Sequence, residues 1–137
     1  MRLINRNTDY AIRALLFFAR EDNTLVSVSR LAEELGIPYP FLRRILLSLK
    51  RAGYLDSTKG REGGFRLIKD PAEIRVVDLI RVFQGEVKLT ECFLQKNICP
   101  DTESCPLRKK IKELEEIMVS RLSSLTLQEL LDGEERS

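Results

Sequence analysis

The sequence predicts a mainly helical fold with one small β-hairpin, and three observations lead to that expectation. Apolar residues recur at intervals of three and four in several stretches of the chain, which is the spacing of helices with one buried face. Two short apolar runs flank a glycine-rich connection at residues 58–64, a pattern typical of a hairpin. A further run of regularly spaced apolar residues between 107 and 125 predicts one long helix near the end of the chain.

Composition and charge restrict the class of protein. The chain has 137 residues, of which 43% are hydrophobic and 32% are charged, enough for one domain with an appended segment. No apolar run approaches the length of about 18 residues needed to span a membrane, and no secretory leader pattern is present, so we expect a cytoplasmic protein without a membrane segment. Residues 38–69 carry 8 basic against 2 acidic side chains, and this local excess indicates a polyanionic partner.

The first part of the chain predicts three helices. Thr8 and Asp9 are the cap candidates of the first helix. Ser27 is the expected N-cap of the second, which Gly36 ends with a left-handed turn. The third begins at Pro40, whose missing N–H suits the first helical position. A helix, a glycine-containing turn and a second helix form the helix-turn-helix pattern, and a hairpin that follows it is a wing.

The third helix and the wing provide candidate DNA contacts. Side chains early in a recognition helix reach base edges in the major groove, while flanking cations hold phosphates. A cation at a glycine-rich wing tip can enter a narrow minor groove, because glycine allows close approach and the groove concentrates negative potential. The base-reading candidates are Tyr39, Arg43 and Arg44, the phosphate candidates are Lys50 and Arg51, and the wing candidates are Lys59, Gly60 and Arg61. The alternative is an ordinary solvated basic face on a protein-binding winged helix.

All three cysteines stand in one stretch, at Cys92, Cys99 and Cys105. Thiolates are soft ligands that suit zinc and iron–sulfur clusters. The spacing here is wider than that of zinc knuckles, which favours a cluster over a zinc-stabilised loop. The chain contains no histidine, so a fourth ligand must be another donor or an external molecule. Three unrelated thiols, some of them buried as small hydrophobes, are the alternative.

Enzymatic activity is not expected. Without histidine, Ser–His and Cys–His nucleophile pairs are excluded. The glycines at 60–64 lie in the predicted hairpin, which is the wrong context for a phosphate-binding loop.

The long helix predicts a dimer stem, because its apolar seam suits packing against a second copy. The seam residues are Leu107, Ile111, Leu114, Met118, Leu122 and Leu125. A capping-box pattern at residues 126–129 opens a last short helix, followed by a frayed tail from Gly133. We therefore divide the chain into a winged helix-turn-helix DNA-binding domain at 1–85, a cysteine cluster-binding loop at 86–106, and a dimerisation helix with a C-terminal tail at 107–137.

The sequence resembles the Rrf-two-type family of bacterial winged-helix transcription regulators, which has IscR-like and NsrR-like members. The resemblance covers nearly the whole chain and rests on residues 1–3, 36–37, 49–55 and 59–67, together with the three-cysteine loop. It implies a homodimer that binds a palindromic operator in double-stranded DNA, with a cluster held beside the dimerisation helix.

The resemblance also implies a set of cluster ligands. Cys92, Cys99 and Cys105 match the family's ligands. IscR-like members add a histidine three residues after the last cysteine, where this chain has Arg108. NsrR-like members use an aspartate near the N-terminus, supplied by the partner subunit, and Asp9 matches that position with an offset of one residue. The departure at Arg108 favours a 4Fe–4S cluster, with 2Fe–2S left open. A plain helix cap is the alternative role for Asp9.

The expected function is that of a dimeric transcriptional repressor whose operator affinity depends on an iron–sulfur cluster that senses nitric oxide, redox state or iron status. Two alternatives stay open. One is a cluster-free, thiol-based winged-helix regulator, and the other is a winged-helix protein-interaction module.

Overall fold

The computed structural model describes residues 3–22, 24–89 and 105–135, and the elements follow the predicted order. They are α1 (Arg6–Arg20), α2 (Val28–Leu35), α3 (Tyr39–Arg51), β1 (Leu55–Thr58), β2 (Gly64–Leu67), a 3₁₀ turn (Pro71–Glu73), α4 (Val76–Gln84), α5 (Pro106–Ser124) and α6 (Leu127–Glu135). The predicted mainly helical fold with a β-hairpin is confirmed. None of the described helices is long and apolar enough to cross a membrane.

Helix α1 begins earlier than predicted. Its N-cap is Asn5, whose Oδ1 accepts a hydrogen bond from the backbone N–H of Thr8 at 2.9 Å. Thr8 and Asp9 therefore lie inside the first turn, and the prediction that they cap the helix is wrong. Asparagine, threonine and aspartate are all good cap residues, so the local pattern does not distinguish between the three.

Helix α2 has the predicted ends. The Ser27 Oγ accepts a hydrogen bond from the backbone N–H of Arg30 at 3.1 Å, which satisfies one of the free donors of the first turn. Gly36 adopts φ 67° after the last turn, a left-handed conformation that glycine reaches without strain.

Helix α3 starts at Tyr39, with Pro38 in the cap position, so Pro40 is the second helical residue and not the first. The helix buries one face completely while its basic side chains stay exposed. The buried residues are Leu42, Ile45, Leu46 and Leu49, as the periodicity predicts.

The wing is anchored to the body of the molecule at its base. Strands β1 and β2 pair antiparallel, with Leu55 opposite Leu67. Phe65 exchanges two backbone hydrogen bonds with Val26, at 2.8 and 2.9 Å, so the segment before α2 adds a third line of pairing. A Cβ at Gly64 would stand 2.3 Å from the carbonyl oxygen of Val26, which explains why this position requires glycine.

The core is built around α1, which packs against α2, α3, α4, α6 and β2. Helix α5 contributes no buried residue of its own, and it contacts α4. None of its residues belongs to the core cluster.

Helix α6 folds back onto the N-terminal part of the chain. Leu127 is fully buried in the common core, and its N–H donates to the carbonyl of Ile74 at 2.8 Å. The helix continues to Glu135, so the expectation of a frayed tail from Gly133 is wrong for residues 133–135. The division at residue 107 remains a prediction. Helix α6 packs with residues of the predicted first domain, although α5 lies between that domain and α6 in the sequence.

Candidate DNA-binding surface and cysteine site

The exposed face of α3 carries the predicted base contacts. Tyr39, Arg43 and Arg44 are all exposed, on a helix whose other face is fixed in the core. A helix fixed on one side can present the opposite side to a groove without further ordering, which is the arrangement that direct base reading requires.

Arg44 has a partner that the sequence analysis did not identify. Its guanidinium carbon stands 5.1 Å from the ring centroid of Phe41, and that phenylalanine is 45% exposed. Phe41 lies just outside the buried stripe that begins at Leu42, but this spacing does not specify where the Arg44 side chain lies.

The end of α3 is connected to the wing. The Lys50 Nζ donates a hydrogen bond to the Oγ of Ser57 on β1, at 2.6 Å. Arg51, the last residue of the helix, is exposed. The phosphate contacts predicted for Lys50 and Arg51 remain predictions, and the lysine also links α3 to β1 through this exposed hydrogen bond.

The wing tip places its predicted residues in solvent. Lys59, Gly60 and Arg61 are exposed, and Gly60 adopts φ 115°, which favours glycine. The turn is closed by a hydrogen bond from the N–H of Gly63 to the carbonyl of Gly60 at 3.0 Å. The tip therefore presents two cations on a compact loop, a shape that suits a narrow groove.

Asp9 lies in an accessible position on the first turn of α1. Its carboxylate is 3.0 Å from the Nε of Arg13 one turn later, and its side chain is 46% exposed. It lines an open hollow of about 440 Å³ together with Ile4, Arg6 and Tyr10. An exposed pair of this kind contributes only about 0.3–0.5 kcal/mol, so Arg13 does not prevent the carboxylate from taking another partner. Its role as a metal ligand remains a prediction.

The first turn of α1 is locked to the end of α4 by Gln84. The Oε1 of Gln84 accepts hydrogen bonds from the N–H of Asn5 at 2.9 Å and from the Oγ1 of Thr8 at 2.6 Å. Its Nε2 donates to the carbonyl of Leu3 at 3.1 Å. Sequence reasoning missed this residue, because its partners are 76 to 81 positions away and no local pattern marks the contact.

Cys105 is the N-cap residue of α5 and is partly exposed, with no disulfide partner among the described residues. The positive end of the α5 dipole thus lies beside a potential anionic ligand. Cys92 and Cys99 lie outside the described residues. Across the part of the chain that the structure describes, no three metal-binding side chains come together. The three thiols of the predicted set suit a soft metal centre, and the accessible carboxylate of Asp9 is its predicted fourth donor.

The described residues on either side of the cysteine segment both adjoin α5. The N–H of Leu89 donates to the Oε1 of Glu115 on α5 at 2.6 Å. Leu89 is thus hydrogen-bonded to α5, and Cys105 is the residue that immediately precedes this helix.

Of the six residues in the predicted dimer seam, four are partly buried and two are exposed. Leu107 and Leu114 are more than half exposed, as is Ile117, which the seam prediction did not include. The other four seam residues are partly buried, namely Ile111, Met118, Leu122 and Leu125. One side of α5 thus packs towards α4, and the other leaves large apolar side chains in solvent.

Comparisons with known proteins give consistent matches. The family model described as "Rrf2: Iron-dependent Transcriptional regulator" matches residues 4–133. The HTH-type transcriptional regulator NsrR of Geobacillus kaustophilus is 35% identical over 134 residues, covering 96% of this chain and 90% of that protein. NsrR of Bacillus subtilis is 31% identical over 137 residues, covering 98% and 93%. The solved structure of T. potens IscR has a TM-score of 0.66 at 28% identity, covering 96% of this chain and 87% of that one.

Proposed function

Because the chain belongs to the Rrf2 family of transcriptional regulators, we propose that it is a homodimeric repressor whose affinity for a palindromic operator is set by an iron–sulfur cluster. Cys92, Cys99 and Cys105 supply three ligands in this proposal, and Asp9 of the partner subunit supplies the fourth. The protein acts in the cytoplasm, and the signal is nitric oxide, redox state or iron status.

The observation that carries the DNA-binding part is the division of α3 into two faces. Four apolar residues are buried, and Arg43 and Arg44 stand exposed on the other side. Lys50 links this helix to a wing whose tip carries two more exposed cations. Such a surface supplies major-groove reading, phosphate contacts and a minor-groove probe from one rigid unit.

The cluster part is supported by the donor set and by the family description, which names iron dependence. Cys105 is a free, partly exposed thiol, and the carboxylate of Asp9 is half-exposed above an open hollow. When bound, a cluster supplies a centre whose ligands are altered by nitric oxide or oxidants.

The protein's own residues supply the connection from that centre to DNA. Cys105 is the residue immediately before α5, so a change in its position acts directly on the proposed dimer stem. Half-sites on DNA lie about 34 Å apart, one helical turn, so a small change in the spacing of the two recognition helices alters operator affinity strongly.

The test is a visible absorbance spectrum with iron and sulfide assays on protein purified without oxygen, for the wild type, Asp9→Ala and Asp132→Ala. Asp132 is an exposed aspartate on α6 and serves as the matched control. We expect a brown wild type with about four irons per chain, a cluster lost faster from Asp9→Ala, and an unchanged Asp132→Ala. Equal cluster lifetimes in the two variants would remove Asp9 from the ligand set.

Other outcomes identify the alternatives. About two irons per chain would keep the sensor and assign a 2Fe–2S cluster. A colourless protein that still binds DNA with a steep salt dependence would be the thiol-based regulator. A protein that shows no salt-dependent DNA binding would be a protein-interaction module.

A further inference from the structure

We infer that Phe41 is a positioning residue for Arg44, and that the stacked pair of side chains sets the base specificity of α3. The inference rests on the proposed DNA-binding role of this helix and deepens it. It does not depend on the cluster.

The exposure of Phe41 is the first observation. The ring is 45% exposed on a helix that buries Leu42 and Ile45 beside it. Burial of apolar surface is the main favourable term in folding, so a ring left half in solvent contributes less to stability than its size allows. Singly exposed apolar residues are common in folded proteins, so the contact with Arg44 is the observation that gives the ring a role.

The geometry of the pair is the second observation. Arg44 follows Phe41 by three positions, which places both side chains on one side of the helix. The guanidinium carbon lies 5.1 Å from the ring centroid, within the range of about 6 Å for a cation–π contact. The Nε of Arg44 is also 3.5 Å from the carbonyl oxygen of Pro40, so the side chain has contacts at two points.

Stacking leaves the reading groups of arginine available. The guanidinium lies over the ring, and because its N–H donors lie in its own plane, the two terminal nitrogens stay available while the Nε contacts the carbonyl of Pro40. A fork held in this way can pair with O6 and N7 of a guanine through two parallel hydrogen bonds. Because the ring limits the rotamers of Arg44 before binding, less conformational entropy is lost when those bonds form.

The surroundings of the ring allow substitution. Phe41 and Arg44 line a hollow of about 190 Å³ together with Asn7, Ser48 and Phe83. The ring is therefore open on one side, and replacing it opens no closed cavity in the core. Phe41→Leu keeps an apolar side chain there without the aromatic face, and Phe41→Tyr keeps the face.

The chain contains a matched control pair. Arg30 stands over the ring of Phe17, with 5.6 Å from its guanidinium carbon to the centroid, and it lies on α2. Arg30→Lys replaces the guanidinium over Phe17, which also pairs with Glu21 at 3.3 Å, and Arg44→Lys replaces the guanidinium over Phe41 on α3.

The test uses a duplex selected from random DNA by the wild-type protein, and a scrambled duplex of the same length. Fluorescence anisotropy gives the ratio of the two affinities at several salt concentrations. We expect Phe41→Leu to lower this ratio about tenfold, with an unchanged salt slope, and Phe41→Tyr to restore it to within about threefold. In the Phe41→Leu background, Arg44→Lys should lower the ratio by less than about threefold more, because the two residues act as one unit.

A Phe41→Leu ratio within about twofold of the wild type would overturn the inference, as would an equal loss of affinity for both duplexes. An effect of Arg30→Lys as large as that of Arg44→Lys would do the same. A wild type without preference for any duplex would overturn this inference and the proposed function together. Equal affinities of cluster-loaded and cluster-free wild type would overturn only the proposed function.

Discussion

The substitution Gln84→Ala tests how the N-terminal turn of α1 is held. The side chain of Gln84 makes three hydrogen bonds, to the N–H of Asn5, the hydroxyl of Thr8 and the carbonyl of Leu3. Thr8 is the one buried polar residue among those that the structure describes. Removing the amide therefore takes a hydrogen-bond partner from a buried hydroxyl, which water cannot readily reach.

The magnitude follows from the individual bonds. An intramolecular hydrogen bond contributes about 1 kcal/mol net. The bond to Leu3 is exposed and counts for little, and the Thr8 hydroxyl keeps a second acceptor, the Oδ1 of Asn5 at 3.0 Å. The bond to the N–H of Asn5 is lost in full and the bond to Thr8 in part, so we expect Gln84→Ala to lower the free energy of unfolding by about 1–2 kcal/mol. Combined with Thr8→Val, it should show a coupling energy of about 1 kcal/mol.

The assay is urea unfolding followed by circular dichroism, at one fixed protein concentration because the proposed dimerisation would add to the apparent stability. Gln128→Ala is the matched control, since this glutamine on α6 makes one exposed hydrogen bond, to Asp132 at 3.0 Å. The control should change stability by less than about 0.5 kcal/mol. A Gln84→Ala effect no larger than the control, or strict additivity with Thr8→Val, would refute the idea that Gln84 holds the turn.

Three further predictions concern the wing and the stem. Gly64→Ala should destabilise the protein by about 2 kcal/mol or more in the same assay, because its Cβ would meet the carbonyl of Val26 at 2.3 Å. Lys59→Ala with Arg61→Ala should reduce the slope of log affinity against log salt by about 2 in anisotropy titrations, since each cation at a phosphate contributes about one unit. Leu114→Glu should raise the dimer dissociation constant at least about tenfold by analytical ultracentrifugation, because an exposed apolar residue of the seam becomes charged.

Each of these has a control or a contradicting result. Gly133→Ala adds a Cβ that meets nothing within 4 Å, so it should not destabilise α6. An unchanged salt slope would remove the wing tip from the DNA contacts. An unchanged dimer with a folded Leu114→Glu would place the interface elsewhere than on the exposed side of α5.

The sequence could predict those elements whose boundaries depend on local chemistry. Ser27 and Gly36 have the expected cap roles because a hydroxyl at an N-cap and a left-handed glycine act within one turn. The start of α1 was placed wrongly because Asn5, Thr8 and Asp9 are equally good caps locally. Gln84 holds Asn5 in the cap position and the Thr8 hydroxyl inside the turn, and it lies 79 and 76 positions away from these two residues in the sequence.

In the candidate site, too, the sequence predicts local features and not contacts that depend on side-chain positions. The exposed basic residues of α3 follow from periodicity, since the buried stripe fixes which side faces outwards. Phe41 was missed because its role depends on where the Arg44 side chain rests, which spacing does not specify. Leu127 was placed in a last helix, but the return of that helix to the common core depends on long-range packing.

The most direct test of the central claim is the operator affinity of one preparation measured twice, before and after removal of its cluster. Iron content is determined in both samples, and the duplex is the one selected by the wild-type protein. The proposed function predicts affinities that differ at least about tenfold, within the usual range of coupling between two sites. Equal affinities in the iron-loaded and iron-free samples would contradict it, and would leave a DNA-binding regulator whose cysteines do not control DNA binding through a cluster.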